Sequence, residues 1–241
     1  MQRRKPHDTP TPMTIADQPM SFIDPSLAGR SFAGFLFDMD GTILTSIAAA
    51  ERVWTAWARR HGVDAAPLLA TMHGKRAEDT VRGLQLPGVD PLAEAARITQ
   101  AEIEDVGGIE PVAGAKAFLA ALPRERWAIV TSAPRALALR RIEAAGLPTP
   151  AVLITADDVS RGKPAPDGFL LGAQRLGCAA NDCLVFEDTP AGIQAAEAAG
   201  AAVMVISATH HRPLPTPHPS LVNYRAVRAE CVSTGLQLIS A

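Results

Sequence analysis

The chain has 241 residues, of which 47% are hydrophobic and 20% charged, and its formal net charge is −2. This balance is typical of a soluble globular protein and offers no electrostatic attraction to nucleic acid or to anionic membranes. Only 5% of residues are aromatic, which argues against a binder of single-stranded nucleic acid. The three cysteines include no CxxC pair, which argues against a disulfide framework, and there is no run of about twenty apolar residues that could span a membrane. These features predict a cytoplasmic protein.

The amino-terminal half is predicted to contain a tail, one strand and an all-helical segment. Residues 1–30 hold five prolines and little apolar periodicity, which predicts a disordered tail. The apolar run 35–37 stops at Asp38 and predicts a buried parallel strand. Helical patterns follow over 46–61, 76–84 and 91–106, and no strand pattern occurs between 47 and 110. Residues 46–110 are therefore predicted to form a helical block inserted after the first strand.

Strands and helices alternate in the remainder of the chain. The predicted helices cover 113–122, 134–145, 168–176 and 190–199, and the predicted strands cover 127–130, 152–154, 184–186 and 203–206. Such alternation is typical of an α/β protein with a parallel sheet. Residues 209–219 are predicted to be a loop, and 221–222 and 236–239 to add short edge strands. We therefore predict a Rossmann-like parallel sheet core, formed by residues 31–45 and 111–241, with a small helical domain at 46–110.

Two carboxylates stand at the end of the first predicted strand, in Asp38-Met39-Asp40-Gly41-Thr42. Open α/β sheets bind ligands beyond the carboxyl ends of their strands. There, one carboxylate could attack phosphorus while the other handles the proton of the leaving group. A calcium loop is one alternative, but it would need an acid at its twelfth position, where Ala49 stands. An ordinary Asp-Gly turn is the other alternative, and it stays open for this segment alone.

Three further segments follow predicted strands or lie in the loops just beyond them. Thr131 and Ser132 offer hydroxyl and backbone N–H groups that suit a phosphate at the start of a helix, with a plain N-cap as the alternative. Lys163 lies in a loop stiffened by two prolines and could screen a carboxylate nucleophile from a phosphate, or be a solvated lysine. Glu187 and Asp188 offer the hard oxygen ligands that Mg²⁺ prefers, or form an acidic helix start.

The combination of these segments favours phosphate chemistry over each separate alternative. Together they supply two carboxylates, a phosphate-binding hydroxyl, a lysine and a metal-binding acid pair on the side of the sheet where such folds bind ligands. We therefore predict a Mg²⁺-dependent phosphatase of a small phosphorylated metabolite, present as a monomer or a weak homodimer.

In order and spacing, the chain from about residue 31 to 208 resembles the haloacid dehalogenase superfamily. The four motifs of that family are matched in turn by Asp38-Met39-Asp40-Gly41-Thr42, Thr131-Ser132, Lys163-Pro164-Ala165-Pro166 and Glu187-Asp188-Thr189. The helices between the first two motifs resemble the small helical cap of the family. Within the family, residues 50–82 look closest to sugar-phosphate and polyol-phosphate phosphatases.

The resemblance implies roles for the acidic residues. It makes Asp38 the nucleophile that forms an aspartyl-phosphate, and Asp40 the general acid and then the general base. It also implies that Mg²⁺ is held by Asp38, the carbonyl of Asp40 and Asp188, with Glu187 as a further candidate ligand.

The remaining candidates concern the substrate. The resemblance implies that Thr131, Ser132 and Lys163 hold the phosphoryl oxygens. In the cap, Lys75 and Arg76 are candidates for substrate contact, with a solvated helix start as the alternative.

Two other functions are weighed against hydrolysis. Phosphosugar mutases share the core motifs but usually carry a cap-hinge histidine at the position where this chain has Ala50. A phosphoaspartate signalling module of the receiver type also uses Asp, Thr and Lys, but it has no helical insertion and no second acid matching Asp40. His210, His211 and His218 are predicted to be loop residues rather than metal ligands, because nothing pairs with them at metal spacing.

Overall fold

The computed structural model of the chain describes residues 24–210 and 212–241. The strands are β1 (Ser31–Phe32), β2 (Gly34–Phe37), β3 (Leu44–Thr45), β4 (Glu110–Pro111), β5 (Trp127–Val130), β6 (Val152–Ile154), β7 (Cys183–Glu187), β8 (Ala202–Ile206), β9 (Ser220–Leu221), β10 (Val227–Val232) and β11 (Gly235–Ser240). The helices are α1 (Ile47–His61), α2 (Ala65–Met72), α3 (Ala77–Gly83), α4 (Pro91–Glu104), α5 (Ala115–Ala120), α6 (Arg135–Ala144), α7 (Asp167–Arg175) and α8 (Pro190–Ala198).

A six-stranded parallel sheet forms the centre of the fold, in the order β6-β5-β2-β7-β8-β9. All residues of β2 are buried, as expected for an inner strand of a sheet that is covered on both faces. Phe35 and Phe37 belong to one hydrophobic cluster and Leu36 to the other, because successive side chains of a strand point to opposite faces. The predicted α/β fold with a parallel sheet is confirmed.

Helices α1 to α4 form the predicted helical block, which we call the cap. Trp54, Trp57, Leu68 and Ile98 belong to a third hydrophobic cluster made from cap residues. The chain enters the cap after β3 and leaves it into β4, and these two short strands pair antiparallel. Both crossings between core and cap therefore lie side by side, directly beyond the end of β2.

The sequence pattern missed helix α2 and misjudged the carboxyl-terminal strands. Helix α2 is only eight residues long, and its main signal is Asp64, whose side chain accepts a hydrogen bond from the backbone of Ala66. The predicted edge strand 221–222 corresponds to β9, at the edge of the main sheet. The segment 236–239 is instead part of β11, the middle strand of a second, antiparallel sheet in the order β1-β11-β10.

Most of the predicted disordered tail, residues 1–23, lies outside the described residues. In the described part, residues 24–30 contain a turn, and Leu27 is buried in the main hydrophobic cluster. Among the helices that the structure describes, none is long and apolar enough to cross a bilayer.

Candidate active site

The site begins with Asp38, the first residue after the central strand β2. Its backbone N–H donates to the carbonyl of Phe186 on the neighbouring strand β7, at 2.9 Å, which continues the sheet pairing to the strand end. Its carboxylate is buried, and Oδ1 accepts a hydrogen bond from the Nζ atom of Lys163. The Nζ atom also donates to Oε1 of Glu187 at 2.7 Å. Lys163 therefore joins residues from the ends of two adjacent strands.

Glu187 is fully buried and held by the start of helix α8. Its Oε2 atom accepts from the backbone N–H groups of Asp188 and Thr189, both at 2.7 Å, and from the Thr189 hydroxyl at 3.1 Å. A Cβ atom on Gly192 would lie 1.5 Å from Oε1, so only glycine leaves room for this carboxylate. Protein donors thus reach both oxygens of Glu187.

Asp188 lies beside the turn that follows Asp38. The Thr42 hydroxyl donates to its Oδ1 atom at 3.1 Å. A Cβ atom on Gly41 would fall 2.0 Å from Oδ2, and Gly41 has a φ of +87°, so this turn needs glycine for both space and conformation. The close approach places the carboxylate against the backbone next to Asp40.

Three buried acids at this place could hold a metal ion. Asp38, Glu187 and Asp188 each offer a carboxylate oxygen, and these oxygens lie within 4.8 Å of one another. Hard oxygen ligands of this kind suit Mg²⁺. Because both oxygens of Glu187 are engaged by protein donors, Asp38 and Asp188 have the more available ligand atoms.

The charges in this cluster perturb one another. Burial raises the pKa of Asp38 to about 7, with the Glu187 carboxylate adding to the rise and Lys163 opposing it. Burial also raises the pKa of Asp188 well above its ordinary value, as do the charges of Glu187 and Asp38. For Lys163, burial lowers the pKa, but the carboxylates of Asp38 and Glu187 outweigh it and raise the pKa overall. A single lysine does not neutralise three carboxylates, and a divalent cation would balance the remaining negative charge.

Thr131 and Ser132 follow strand β5 and line the same cavity as Asp38. The Thr131 hydroxyl accepts a hydrogen bond from the backbone N–H of Ala133 at 3.1 Å, so its own proton can be donated elsewhere. The Ser132 hydroxyl donates to the carbonyl of Gly74 in the cap at 2.9 Å. The structure therefore brings both predicted residues to the cavity, and it joins Ser132 to the cap.

Asp40 lines the same cavity and has partners that the sequence did not indicate. The Ser46 hydroxyl donates to its Oδ1 atom at 2.5 Å, and the Nη1 atom of Arg141 lies 3.0 Å from the same oxygen. The Nη2 atom of Arg141 lies 3.2 Å from Oε1 of Glu102 on cap helix α4. Sequence reasoning missed Arg141 and Glu102, because each lies within a helical pattern where charged residues are usually solvated.

The two cap residues that were predicted to contact the substrate, Lys75 and Arg76, have different surroundings in the structure. Lys75 lines the cavity next to Asp38 and Asp40. Arg76 instead donates to the carboxylate of Asp79 at 2.6 Å and to the carbonyl of Ser160 at 3.0 Å. Arg76 also lines a second cavity together with Thr131, Ser132 and Lys163, and it ties the cap to the loop that carries Lys163.

The loop histidines take different positions. The Nε2 atom of His210 lies 2.7 Å from the backbone carbonyl of Asp188, to which it donates. His218 contacts Glu197 at 2.7 Å, away from the acid cluster. His211 lies outside the described residues.

The chain is similar to known phosphatases along most of its length. The family described as haloacid dehalogenase-like hydrolase matches residues 32–200. Hexitol phosphatase A of Escherichia coli (strain K12) is 45% identical over 184 residues, which are 75% of this chain and 85% of that protein. Glycerol-1-phosphate phosphohydrolase 2 of Saccharomyces cerevisiae is 33% identical in an alignment of length 192, which covers 72% of this chain and 74% of that protein.

A solved structure agrees with the fold. A hydrolase from Pseudomonas syringae superposes with a TM-score of 0.66 at 27% sequence identity, covering 75% of this chain and 87% of that one. The similarity covers both the parallel-sheet core and residues of the cap.

Proposed function

This chain belongs to the haloacid dehalogenase-like hydrolases, and from that premise we propose that it is a Mg²⁺-dependent phosphatase of small sugar or polyol phosphates. The observation that carries the proposal is the convergence of Asp38, Thr131, Lys163 and Asp188 at one edge of the sheet, with Asp40 beside them. The similarity to hexitol and glycerol-1-phosphate phosphatases supports this substrate class.

The residues present fit a bound magnesium ion. Asp38 and Asp188 would hold it through carboxylate oxygens, together with the Asp40 carbonyl, while Glu187 would orient Lys163 and the α8 start. When bound, Mg²⁺ would neutralise charge on the phosphoryl group that is being transferred. Lys163 would add to this neutralisation, and the Thr131 hydroxyl would hold a phosphoryl oxygen.

In the first chemical step, a carboxylate oxygen of Asp38 attacks phosphorus in line with the ester oxygen. The new bond joins this oxygen to phosphorus, and the bond from phosphorus to the ester oxygen breaks. Asp40 delivers a proton to the departing alkoxide, which leaves as an alcohol. Among the described residues, donors reach Oδ1 of Asp40 and none reaches Oδ2, so Oδ2 is the atom available to carry this proton.

In the second step, water attacks the phosphorus atom of the aspartyl-phosphate. Asp40, now ionised, takes a proton from this water, and the bond between phosphorus and Asp38 breaks. Inorganic phosphate leaves and Asp38 is restored as a carboxylate. The same side chain therefore serves as acid and then as base, in agreement with its position beside the nucleophile.

The cavity supports a small substrate with hydroxyl groups. Trp54 and Met72 offer apolar surface, while Lys75, Thr99 and Glu102 offer polar groups on the cap side. Pockets of this kind combine an apolar lining with a few polar groups that orient the ligand. Ala50, at the position where mutases usually carry a histidine, is buried and lines the same cavity.

The same proposal includes a cytoplasmic location and a monomer or weak homodimer that acts on a free metabolite. The odd number of cysteines without a CxxC pair supports the location, because such chains are typical of reducing compartments.

Phosphorus NMR of reactions with hexitol phosphates, glycerol 1-phosphate and hexose phosphates tests the function. We expect release of inorganic phosphate in amounts equal to the alcohol formed, loss of release after chelation, and recovery with Mg²⁺. Asp38→Asn should abolish release, since an amide oxygen is a poor nucleophile. Conversion of a sugar phosphate to its positional isomer without release of free phosphate would identify a mutase. Turnover by Asp38→Asn within about tenfold of wild type would show that Asp38 is not the nucleophile.

A further inference from the structure

Arg141 is a buried cation that connects the catalytic core to the cap. It lies on core helix α6, and its side chain is 6% exposed. Its two terminal nitrogens contact different acids, Asp40 of the core at 3.0 Å and Glu102 of the cap at 3.2 Å. The side chain of Glu102 is 8% exposed and lines the same cavity as Trp54 of the cap. The guanidinium group thus bridges the two parts of the molecule next to the reacting atoms.

Such an arrangement is weak as a purely stabilising device. Removing charges from water is costly, and the attraction between buried partners often only balances that cost. Within residues 24–210 and 212–241, the Nε atom of Arg141 is buried without a hydrogen-bond partner, which adds to the cost. A buried charge cluster in contact with Asp40 is more readily explained by what it does to that side chain.

The geometry constrains the orientation of Asp40. Arg141 and the Ser46 hydroxyl both contact Oδ1, from two different elements of the fold, α6 and the start of α1. A carboxylate oxygen that accepts a hydrogen bond from Ser46 and forms an ion pair with Arg141 is restricted in position, so the other oxygen of Asp40 is presented in one direction. Proton transfer depends steeply on such positioning, because the donor must lie within hydrogen-bond distance of the leaving oxygen.

We propose that Arg141 is a positioning residue for Asp40 and that Glu102 of the cap holds Arg141 in place. The proposal rests on the proposed function of Asp40 as the acid that protonates the leaving group. Its consequence is that the proton-transfer step depends on contact between cap helix α4 and core helix α6. The rate of hydrolysis should depend on this contact for substrates whose leaving group needs a proton. For substrates whose leaving group needs none, the rate should change little when the contact is lost.

The test compares Glu102→Gln with a matched control, Glu94→Gln. Both glutamates lie on α4 and both are buried, and Glu94 accepts a hydrogen bond from the indole of Trp57 in α1 at 2.9 Å. Glu94 contacts cap residues such as Arg60 and does not line the cavity. The control therefore carries the same change of charge within the same helix, away from Asp40.

Each variant is assayed with an alkyl substrate, the best hexitol or glycerol phosphate, and with p-nitrophenyl phosphate, whose leaving group needs little protonation. For Glu102→Gln we expect kcat for the alkyl phosphate to fall about tenfold or more while its KM changes less than about threefold, because loss of a substrate contact at Glu102 would instead raise KM. We expect kcat/KM for the aryl phosphate to change less than about threefold. Inhibition by inorganic phosphate should be unchanged, and Glu94→Gln should match wild type on both substrates.

Arg141→Ala gives an independent second measurement. It should show a larger loss on the alkyl phosphate, and added guanidinium ion at millimolar concentration should restore part of that loss by occupying the vacated space. If Arg141→Ala does not fold, Glu102→Gln still decides the question, because glutamine keeps the shape of the side chain. Equal losses on alkyl and aryl substrates, or a Glu102→Gln variant that behaves like Glu94→Gln, would overturn the proposal. A wild-type protein that hydrolyses the aryl phosphate but no alkyl phosphate would overturn it too, whereas failure on both substrates would remove the proposed function itself.

Discussion

At the scale of single residues, the site is a cluster of buried charges that glycines make possible. Gly41 and Gly192 leave the space into which the carboxylates of Asp188 and Glu187 fit. Lys163 then bridges Asp38 and Glu187. Burial and mutual repulsion raise the pKa values of Asp38 and Asp188, so the folded protein without metal binds protons that the unfolded chain has already released.

This difference predicts how the metal-free protein responds to pH. The pKa of Asp38 is about 7 in the folded protein, against an ordinary value of 3.8. Protonation of Asp38 therefore favours the folded state over the unfolded state at pH values below about 7. The contribution of Asp38 to stability should therefore decrease as pH rises from about 4 to about 7, and the raised pKa of Asp188 acts in the same direction. Mg²⁺ needs ionised ligands, so it should raise the melting temperature more at pH 8 than at pH 5.

Thermal melts with chelator and with Mg²⁺ at these two pH values check this prediction. Asp38→Asn is the control, since it removes one of the titrating acids and should flatten the pH dependence of the metal-free protein. A Mg²⁺-induced rise in melting temperature that is equal at both pH values would contradict the linkage between the acid cluster and the metal.

At the scale of elements, a short turn of the cap contacts three of the loops that carry the site. This turn, residues 73–76, links α2 to α3. Its Gly74 accepts a hydrogen bond from Ser132 and packs against Thr189, while Arg76 reaches the carbonyl of Ser160. The turn therefore determines how closely the cap approaches the core.

Substitution of Gly74 by alanine should separate the cap from the core. A Cβ atom there would lie 2.5 Å from the Thr189 hydroxyl, which is itself bonded to Glu187, so Thr189 cannot move away freely. Gly62→Ala is the matched control, because Gly62 also has a positive φ, +66° against +77°, but has nothing within 4 Å of the added atom.

Both variants should be destabilised by about 1 kcal/mol through backbone strain. Only Gly74→Ala should lose catalytic efficiency, by about tenfold, since a displacement near 1 Å at a catalytic site has effects of that size or larger. Melting curves and kcat/KM for the best substrate distinguish the two effects. Equal catalytic efficiency in the two variants would show that the close contact at Gly74 does not matter for catalysis.

At the scale of the whole molecule, the two ends of the described chain meet. Strand β1 pairs with β11, so residues 31–32 lie beside residues 236–237 in the second sheet. Just before β1, Leu27 is 2% exposed within the main hydrophobic cluster. The segment 24–30 therefore contributes to the core, although its composition resembles that of the tail before it.

A chain that starts at Ser31 should be less stable than one that starts at Asp24. Loss of a buried leucine costs about 2–5 kcal/mol, which corresponds to a fall in melting temperature of roughly 5 °C or more for a protein of this size. Leu27→Ala in the longer chain should reproduce most of the fall. Identical melting temperatures for the two chains would instead support the sequence-based prediction that residues 1–30 form a dispensable tail.

Features that depend on neighbouring residues could be predicted from the sequence. Apolar runs that end at Asp38, Thr131 and Glu187 predicted the inner strands β2, β5 and β7, because strand periodicity and turn residues are local signals. Since parallel strands bring their carboxyl ends to one edge, the same pattern also predicted that these residues lie near one another, as they do.

Contacts between segments that are distant along the chain could be seen only in the folded structure. Nothing local indicates that Arg141 lies between Asp40 and Glu102, or that Lys75 faces the cavity while Arg76 binds the Ser160 loop. The strand 236–239 was predicted, but its place in the second sheet depends on β1 and β10. A helical or strand pattern specifies which side chains face inward, whereas the packing of whole elements decides which partner each one meets.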